Sequence, residues 1–311
     1  MRRRRHDTSA PSPAPVRDRR ATADRRDDAA RRHLDTILDG VFRPRRWAAR
    51  LAYGLGLQAG RPVVVQEHAL DVERPAGAPP LRVAFATDFH AGATTDERVL
   101  RAAAETLAAL QPDVLLLGGD FVSVRARDIH ALAPLLARIP APLGRYGVWG
   151  NHDLRSNRPE VARALEEAGV RLLDNERVTL GAPHGDVTVF GLDDPICGEP
   201  EGALLDGASG VRLLLMHAPD GLLAAGDRHF DLAVCGHTHG GQVVLPGGFI
   251  PYLPHGELSR TYPVGEYEVE AAAPRRLIVS RGIGCSTVPV RAGCDAEVHL
   301  ITVAGGAAPT P

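Results

Sequence analysis

The chain has 311 residues, of which 44% are hydrophobic, and this is enough for one large domain or two small ones with a sizeable core. All 36 basic residues are arginine and they are unevenly spread: residues 1 to 50 hold 15 Arg against 7 Asp, whereas the remainder holds 21 Arg against 31 acidic residues. An acidic body argues against broad nucleic-acid binding by the main domain, and no apolar run approaches the roughly 18 residues that span a bilayer.

The chain begins with a basic N-terminal arm, residues 1 to 46. Residues 1 to 33 are rich in Arg, Asp, Ala and Pro and nearly lack large apolar groups, so they cannot bury enough surface to become ordered. "MRRRR" looks like the start of an export signal, but no apolar segment follows it. We interpret the arm as a solvated, disordered segment or as a peripheral contact with anionic membrane lipid, and we expect no nucleic-acid partner.

Four cysteines, at positions 197, 235, 285 and 294, share no C-x-x-C spacing, and the chain is too long to need a disulfide framework. We therefore expect reduced thiols in a cytoplasmic protein without a transmembrane helix or a complete signal peptide. Cys235 adjoins a histidine motif, but no histidine and acid are spaced to mark it as a nucleophile. It is predicted to be a small buried residue.

Residues 47 to 80 form a connecting segment. Its apolar part, "WAARLAYGLGL" at 47 to 57, is short and contains Arg50, so it is either a packing helix or a helix at a membrane interface. "PAGAPP", at 75 to 80, is typical of a turn or linker.

From residue 81 the pattern alternates between strands and helices. Three apolar strands that end in polar residues read "LRVAFATDFH", "DVLLLGGD" and "RYGVWGNHD". The predicted helices are "TTDERVLRAAAETLAAL", in which Thr94 and Glu97 have capping-box spacing, a segment around 127 to 138, and "PEVARALEEAG".

Strands dominate the second half of the chain: "VRLLD", "DVTVFGLDD", "VRLLLMH", "LAVCGH", "GQVVLP", "GEYEVE", "RRLIVSRG" and "EVHLITV". The order of elements predicts an α/β fold over residues 81 to 303, a four-layer α/β sandwich of mixed β-sheets flanked by helices. Residues 304 to 311 predict a disordered tail.

Polar side chains follow five of these strands. They are Asp88 and His90 after the first strand, Asp120 after the second, Asn151, His152 and Asp153 after the third, His217 at the end of "VRLLLMH", and His237 and His239 in "CGHTHGGQ". Ligands of open α/β sheets bind at the carboxyl ends of strands. Each residue alone has another explanation, since Asp120 fits a helix cap and His217 a core histidine, but five such strand ends together indicate one site.

The donors are too many for one metal ion. They suit two divalent cations that share a bridging carboxylate, and imidazole combined with carboxylate favours Mn, Fe or Zn over Ca or Mg. Two ions roughly 3.5–4 Å apart can activate a water and clamp a phosphate. In an extended His-x-His, as at His237 and His239, both rings point to the same side.

Five motifs occur in a fixed order: D-x-H (Asp88, His90), G-G-D (118 to 120), G-N-H-D (150 to 153), a lone histidine (His217) and G-H-T-H (236 to 239). Together they are similar to the motifs of the calcineurin-like metallophosphoesterase family, over about residues 81 to 303. "GHTHGGQ", "SRGIG" and "VPVR" resemble in particular a bacterial branch of metal-dependent phosphodiesterases often found near membranes.

The resemblance implies a role for each residue of the motifs. Asp88, His90 and His239 would hold the first metal, Asn151, His217 and His237 the second, and Asp120 would bridge the two. His152 would face the phosphate and protonate the leaving oxygen, and Asp153 would orient or tune His152. Many relatives carry a further acid after the G-D motif, where this chain has Ser123.

The predicted function is hydrolysis of a phosphate ester by a dinuclear metal centre, with a diester or pyrophosphate as the leading substrate class. The motifs leave a phosphomonoesterase or a protein phosphatase open. A non-catalytic scaffold that kept the fold and lost its metals is disfavoured, because all seven ligands are present.

The segment "VVLPGGFIPYLPHGELSRTY", residues 243 to 262, follows the histidine pair. Its prolines and glycines argue against a regular strand or helix, so its apolar residues either pack on the sheet or contact a lipid-linked substrate. Gly240 and Gly241 are predicted to leave room for substrate. "GLDDP", with Asp193 and Asp194, is either a turn or part of the pocket wall.

Overall fold

A computed structural model describes residues 19–58, 63–269 and 275–305 of the chain. The described α-helices are α1 (Arg19–Phe42), α2 (Trp47–Gly54), α3 (Glu97–Ala109), α4 (Ile129–Leu136), α5 (Asn151–Leu154), α6 (Arg158–Glu167) and α7 (Gly221–Ala225). The described strands are β1 (Val64–Val72), β2 (Leu81–Ala86), β3 (Val114–Leu117), β4 (Arg145–Gly147), β5 (Val170–Leu172), β6 (Glu176–Thr179), β7 (Val187–Gly191), β8 (Val211–Leu215), β9 (Leu232–Cys235), β10 (Gly265–Val269), β11 (Arg275–Val279) and β12 (Glu297–Gly305).

The first sheet has six strands in the order β1-β12-β2-β3-β4-β5. β2, β3, β4 and β5 run parallel, so their carboxyl ends meet at one edge of the sheet. β12 is antiparallel to β2 and parallel to β1. All of β3 and nearly all of β2 are buried, as expected of continuous apolar strands whose two faces are both covered.

The second sheet also has six strands, in the order β10-β11-β9-β8-β7-β6. Its four central strands are parallel, and its edge strands β10 and β6 are antiparallel to their neighbours. The predicted α/β fold, with two mixed sheets flanked by helices, is therefore confirmed.

Apolar side chains hold the sheets and helices together in layers. Phe85 of the first sheet and Leu213 of the second belong to the core between the two sheets. Leu107 of α3 and Leu132 of α4 cover the outer face of the first sheet, and Leu222 of α7 covers the outer face of the second. The order of layers is thus helix, sheet, sheet, helix.

Two local predictions are wrong. The N-cap of α3 is Asp96, whose carboxylate accepts the N–H of Arg98, whereas the Thr94 hydroxyl donates to the carbonyl oxygen of Cys285, so Thr94 and Glu97 form no capping box. The predicted strand "GQVVLP" is reduced to two isolated bridges, between Val243 and Ala292 and between Leu245 and Phe249. In both places a contact with a distant loop replaces the local pattern.

The N-terminal part of the chain differs from the expected disordered arm, because α1 occupies residues 19–42 of it. Residues 1–18 lie outside the described residues. Ion pairs hold α1 on the main domain: the buried Asp39 accepts hydrogen bonds from Arg43 and Arg125, and Arg43 also donates to Asp128. A composition poor in apolar residues does not reveal this helix, because charged groups anchor it.

The connecting segment, residues 47 to 80, contains β1, which pairs with β12 over nine residues. Because β12 lies more than two hundred positions from β1 in sequence, no local pattern predicts the pairing. β12 ends at Gly305, and the predicted disordered tail beyond it lies outside the described residues. Among the helices that the structure describes, none is long and apolar enough to cross a membrane.

Candidate active site

The carboxyl ends of strands from both sheets meet at one place. The segments after β2, β3 and β4 carry Asp88, Asp120 and Asn151, and those after β8 and β9 carry His217 and His237. All five side chains are buried. The fold therefore brings together the strand ends that the sequence marks as polar.

Asp88, His90 and His239 form one group of donor atoms, which lie within 4.8 Å of one another. Nε2 of His239 is 3.0 Å from Nε2 of His90 and 3.5 Å from Oδ1 of Asp88. Two imidazoles and a carboxylate that converge in a buried place are a donor set suited to a divalent transition metal.

Asn151, His217 and His237 form a second group. Oδ1 of Asn151 is 3.0 Å from Nε2 of His217 and 3.1 Å from Nδ1 of His237. The other ring nitrogens donate to carbonyl oxygens at 2.8 Å, from Nδ1 of His217 to Gly118 and from Nε2 of His237 to His255. These carbonyl contacts orient the rings and turn the remaining nitrogen of each towards the amide oxygen.

Asp120 lies between the two groups. Its Oδ2 is 3.4 Å from Nε2 of His90 and 3.5 Å from Nε2 of His217. Its Oδ1 accepts the backbone N–H of His152 at 2.9 Å, which fixes the orientation of the carboxylate. One carboxylate oxygen therefore faces both donor groups at nearly equal distance.

The electrostatics of the cluster favour a positive charge. Although burial raises the pKa of Asp120, the His217 and His152 imidazoles outweigh it and hold that pKa well below its usual range. Although burial lowers the pKa of His217, Asp120 holds it well above its usual value. Burial raises the pKa of Asp88 to about 7. The negative charge of Asp120 thus stabilises the protonated imidazole of His217. A divalent cation at this place would be stabilised by the same negative charge.

Five residues of the cluster have a left-handed backbone conformation, with φ between 44° and 70°: Asp88, His90, Asp120, His237 and His239. Such conformations are rare outside glycine and cost on the order of 1–3 kcal/mol each. Backbone hydrogen bonds between neighbouring loops hold them, including those from His90 N–H to the Asp120 carbonyl and from Asp88 N–H to the Gly119 carbonyl. Conformations of this kind concentrate at functional sites.

Two glycines of the motifs are required by close approach to the carboxylates. A Cβ at Gly150 would lie 2.2 Å from Oδ1 of Asp120, and a Cβ at Gly236 would lie 2.1 Å from Oδ2 of Asp88. Any larger residue at either position would displace a carboxylate of the cluster.

His152 lies beside the cluster and is half-buried. Its ring stands edge-on to His90, with centroids 4.8 Å apart, and its Nδ1 donates to the carbonyl oxygen of Ser123 at 2.7 Å. Nε2 is therefore the nitrogen that can exchange a proton with a substrate. The main chain of Ser123 therefore orients His152.

Asp153, which the resemblance implied would orient or tune His152, bonds through its carboxylate to the main chain. Its carboxylate accepts the backbone N–H groups of Val122 and Gly150, each at 3.1 Å, while the His152 ring bonds to Ser123. Burial raises the pKa of Asp153 to about 8. Asp153 thus ties together the two loops that carry Asp120 and Asn151.

Arg291 and Gln242 support the site and were not assigned a role from the sequence. The buried guanidinium of Arg291 lies 3.3 Å from Nδ1 of His239 and donates to the carbonyl of Gly284. The Gln242 amide donates to three carbonyls between residues 286 and 290 and accepts the N–H of Ser286. Arg291 is the last residue of "VPVR" and Gln242 is the last residue of "GHTHGGQ", so both lie in motifs noted in the sequence. The residue type alone does not predict their hydrogen-bond partners.

The segment 243 to 262, all of which the structure describes, has no regular helix or strand, as predicted. The role predicted for Gly241 is wrong, because a Cβ there would lie 2.2 Å from Cγ2 of Ile250: the glycine makes room for the loop itself. Ile250 is half-buried, whereas Phe249 is 64% exposed and Tyr252 54% exposed. The loop packs on the histidine motif through Ile250 and presents Leu245, Phe249 and Tyr252 to solvent.

Burial and hydrogen bonding show how Cys235 and the pair Asp193 and Asp194 are used in the fold. Cys235 is fully buried and burial raises the pKa of its thiol well above the usual value, so it packs as a small apolar residue. The Asp193 carboxylate accepts the N–H groups of Asp194 and Glu199, and the Asp194 carboxylate accepts that of Cys197, so both aspartates stabilise a turn.

A cleft runs from His152 to the N-terminal helix. Asp35 and Asp39 of α1 line it, together with Ser123 and Thr287. The hydroxyl of Thr287 donates to Oδ1 of Asp35 at 2.9 Å, which joins α1 to the opposite rim. α1 therefore forms one wall of a small cleft beside His152, a feature absent from the sequence prediction.

The chain is similar to several known proteins. The family described as calcineurin-like phosphoesterase matches residues 81–241. The chain is 27% identical to phosphodiesterase YaeI of Escherichia coli over 228 residues, covering 72% of this chain and 82% of that protein. It is 32% identical to the uncharacterized metallophosphoesterase YkuE of Bacillus subtilis over 206 residues, covering 64% of this chain and 70% of that protein. A solved structure, the 5'-nucleotidase precursor from Thermus thermophilus, matches with a TM-score of 0.43 and 16% identity, covering 72% of this chain and 55% of that chain.

Proposed function

Because the chain belongs to the calcineurin-like phosphoesterase family of phosphate-ester hydrolases, we propose that it is a phosphodiesterase that works with two divalent cations. The similarity to a protein named as a phosphodiesterase supports the diester as substrate, and a pyrophosphate offers related chemistry. A phosphomonoesterase or protein phosphatase is the alternative within the same family.

The position of Asp120 is the observation on which the two-cation proposal depends. One oxygen of its carboxylate lies 3.4 Å from His90 and 3.5 Å from His217, which belong to different donor groups. A carboxylate that faces two nearby donor groups suits a bridge between two cations, and a single ion does not need it.

Asp88, His90 and His239 would hold one cation. Asn151, His217 and His237 would hold the other. Asp120 would contact both. Buried imidazole and carboxylate donors suit Mn, Fe or Zn. When bound, the two ions would supply a Lewis acid and a water nucleophile at neutral pH.

His152 is proposed to protonate the leaving oxygen. The Ser123 carbonyl holds Nδ1, so Nε2 of the protonated ring would donate to the departing alkoxide. His152 lies at the edge of the cluster, where one ring nitrogen is within 4.8 Å of donor atoms of Asp120 and His90. Asp153 would contribute by holding the loops on which His152 and Asp120 stand.

A non-catalytic scaffold fits the site less well. Proteins that lose activity no longer need a strained ligand cluster, yet all seven predicted ligands are present here and the strained conformations are retained. Burying these polar groups without a bound cation would be costly.

The diester proposal is tested by comparing kcat/KM for a panel of soluble monoesters, diesters and pyrophosphates with the Mn²⁺-loaded protein. We expect diesters to be the best substrates, because the chain is similar to a protein named as a phosphodiesterase. Higher kcat/KM for monoesters across several leaving groups would favour the alternative of a phosphomonoesterase.

The substrate is further proposed to be lipid-linked, with the basic N-terminal region making a peripheral contact with the membrane. The exposed Phe249 in the loop next to the histidine motif supports an apolar contact with the substrate. We expect a long-chain lipid diester to exceed its short-chain analogue in kcat/KM, and Phe249→Ser to reduce that preference on the order of tenfold, because a buried aromatic side chain contributes about 1.5–3 kcal/mol.

Leu223→Ser is the matched control for Phe249→Ser, because Leu223 is 54% exposed on α7, a different element. It should leave the chain-length preference unchanged. Equal kcat/KM for long and short chains in detergent-controlled assays would contradict the lipid-linked substrate while leaving the diesterase proposal intact.

A further inference from the structure

Exposed apolar side chains lie on the outer sides of α2 and of the described end of α1. Six side chains, each between 49 and 65% exposed, make up what we call the helical apolar face: Leu34, Ile37, Val41, Trp47, Leu51 and Leu55. Spacings of three or four residues put each trio on one side of its helix, with Leu55 directly after the end of α2. The indole N–H of Trp47 donates to the carbonyl oxygen of Val41, so the two trios adjoin.

The opposite sides of both helices are fixed on the protein. Asp39 of α1 bonds to Arg125, outside the helix, and α2 buries three alanines, at positions 48, 49 and 52. The guanidinium of Arg98 on α3 stacks 3.8 Å above the ring of Tyr53 on α2. The fold therefore turns the helical apolar face outwards while the polar contacts of α1 point inwards.

The charge around the helical apolar face is positive. Arg45 and Arg50 are exposed beside it, and none of the exposed residues that the structure describes between positions 30 and 57 is acidic. Beyond position 50 the chain carries 21 Arg against 31 acidic residues. An apolar face flanked by arginine on an acidic body fits an anionic lipid surface, whereas a second copy would bring like charges together.

The helical apolar face also adjoins the cleft beside His152. Asp35, on the inward side of α1, lines the cleft beside His152 and accepts the hydroxyl of Thr287. The next residue, Val288, is itself 41% exposed, and the N–H of Arg291 donates to the carbonyl of Leu57, just after α2. A surface that contacts the two helices would therefore lie next to the cleft.

We propose that the helical apolar face is a docking surface for membranes that contain anionic lipid, and that docking presents the cleft beside His152 to the lipid surface. Arginines would contact the headgroups while the apolar side chains enter the boundary between headgroups and acyl chains. The inference uses no contact with the substrate, so it holds or fails separately from the proposed reaction.

The test uses the full-length protein and two kinds of vesicle, phosphatidylcholine alone and phosphatidylcholine mixed with phosphatidylglycerol. Trp47 is a built-in probe, because the other tryptophan, Trp149, is buried. We expect co-sedimentation with the anionic vesicles, a blue shift of tryptophan fluorescence, and quenching by lipids brominated on the acyl chain. Binding to phosphatidylcholine alone should be weak, and salt should reduce binding to the anionic vesicles.

Variants separate the apolar and the charged contributions. Ile37→Ser combined with Leu51→Ser should weaken vesicle binding by at least on the order of tenfold, because two buried aliphatic contacts are lost. Arg45→Gln combined with Arg50→Gln should remove the preference for anionic lipid. Leu223→Ser and Arg163→Gln, exposed on α7 and α6, are the matched controls and should bind as the unmodified chain does.

The kcat/KM for a short soluble diester should be equal in all these variants. Equal values would show that the variants are folded. Vesicle binding that is absent, or that survives both double substitutions, would overturn the proposal. Sedimentation velocity without vesicles tests whether a second copy of the chain occupies the helical apolar face. A dimer that dissociates when Ile37→Ser and Leu51→Ser are combined would assign the face to a second copy instead of a membrane.

Discussion

Replacing Asp120 by Asn is expected to abolish most phosphodiesterase activity and to lower the metal content of the purified protein. The amide keeps the size of the side chain and can still accept the His152 N–H, but it lacks the negative charge that faces both His90 and His217. Losing a partner that only orients a ligand costs roughly 10–100-fold in affinity or activity, and a bridging ligand should cost more than that.

Asp113→Asn is a matched control for Asp120→Asn. Asp113 immediately precedes β3, whose other end leads to Asp120, and its carboxylate accepts the backbone N–H of Arg82. This substitution should leave metal content and kcat/KM unchanged. If Asp120→Asn bound two metals per chain and kept full activity, the bridging role would be incorrect.

Replacing His152 by Gln is expected to lower kcat by about 10²–10⁴-fold while the metal content stays the same, because general acid catalysis contributes a factor of that size. The loss should be largest for diesters with an alkoxide leaving group and smallest for those that release p-nitrophenolate, which departs without a proton. Measuring kcat for a series of leaving groups therefore distinguishes proton donation from a general disturbance of the site.

His130→Gln serves as the control for His152→Gln, because His130 is exposed on α4 and lies outside the cluster. It should be indistinguishable from the unmodified chain. An equal loss of kcat for good and poor leaving groups in His152→Gln would argue against proton donation, and loss of metal would make His152 a ligand.

The sequence can place several of these side chains near one another because parallel strands deliver their carboxyl ends to the same edge of a sheet. Within the first sheet the parallel β2 and β3 bring Asp88 and Asp120 together, and within the second the parallel β8 and β9 bring His217 and His237 together, whereas the packing of the two sheets joins the pairs. Their left-handed backbone is not predictable in the same way, since neither Asp120 nor His237 favours it over the extended region. Those conformations depend on hydrogen bonds between loops that only the folded chain brings together.

Contacts between distant segments account for what the sequence does not predict. β1 pairs with β12, α1 is anchored by ion pairs to Arg125 and Asp128, and Arg291 reaches His239 from far along the chain. None of these leaves a periodic apolar pattern. The placement of Asp153 shows the same limit, because a motif fixes a residue's neighbours in sequence, whereas its hydrogen-bond partners are set by the fold.

Hydrolysis of bis(p-nitrophenyl) phosphate before and after removal of divalent metals tests most directly whether these residues form a dinuclear phosphodiesterase site. The protein is treated with a chelator, freed of it, analysed for metal, and then supplied with Mn²⁺. We expect the treated protein to be inactive, and activity to return as Mn²⁺ approaches two ions per chain, because the bound ions supply the nucleophile. Full activity in protein shown to contain no metal would contradict the proposal.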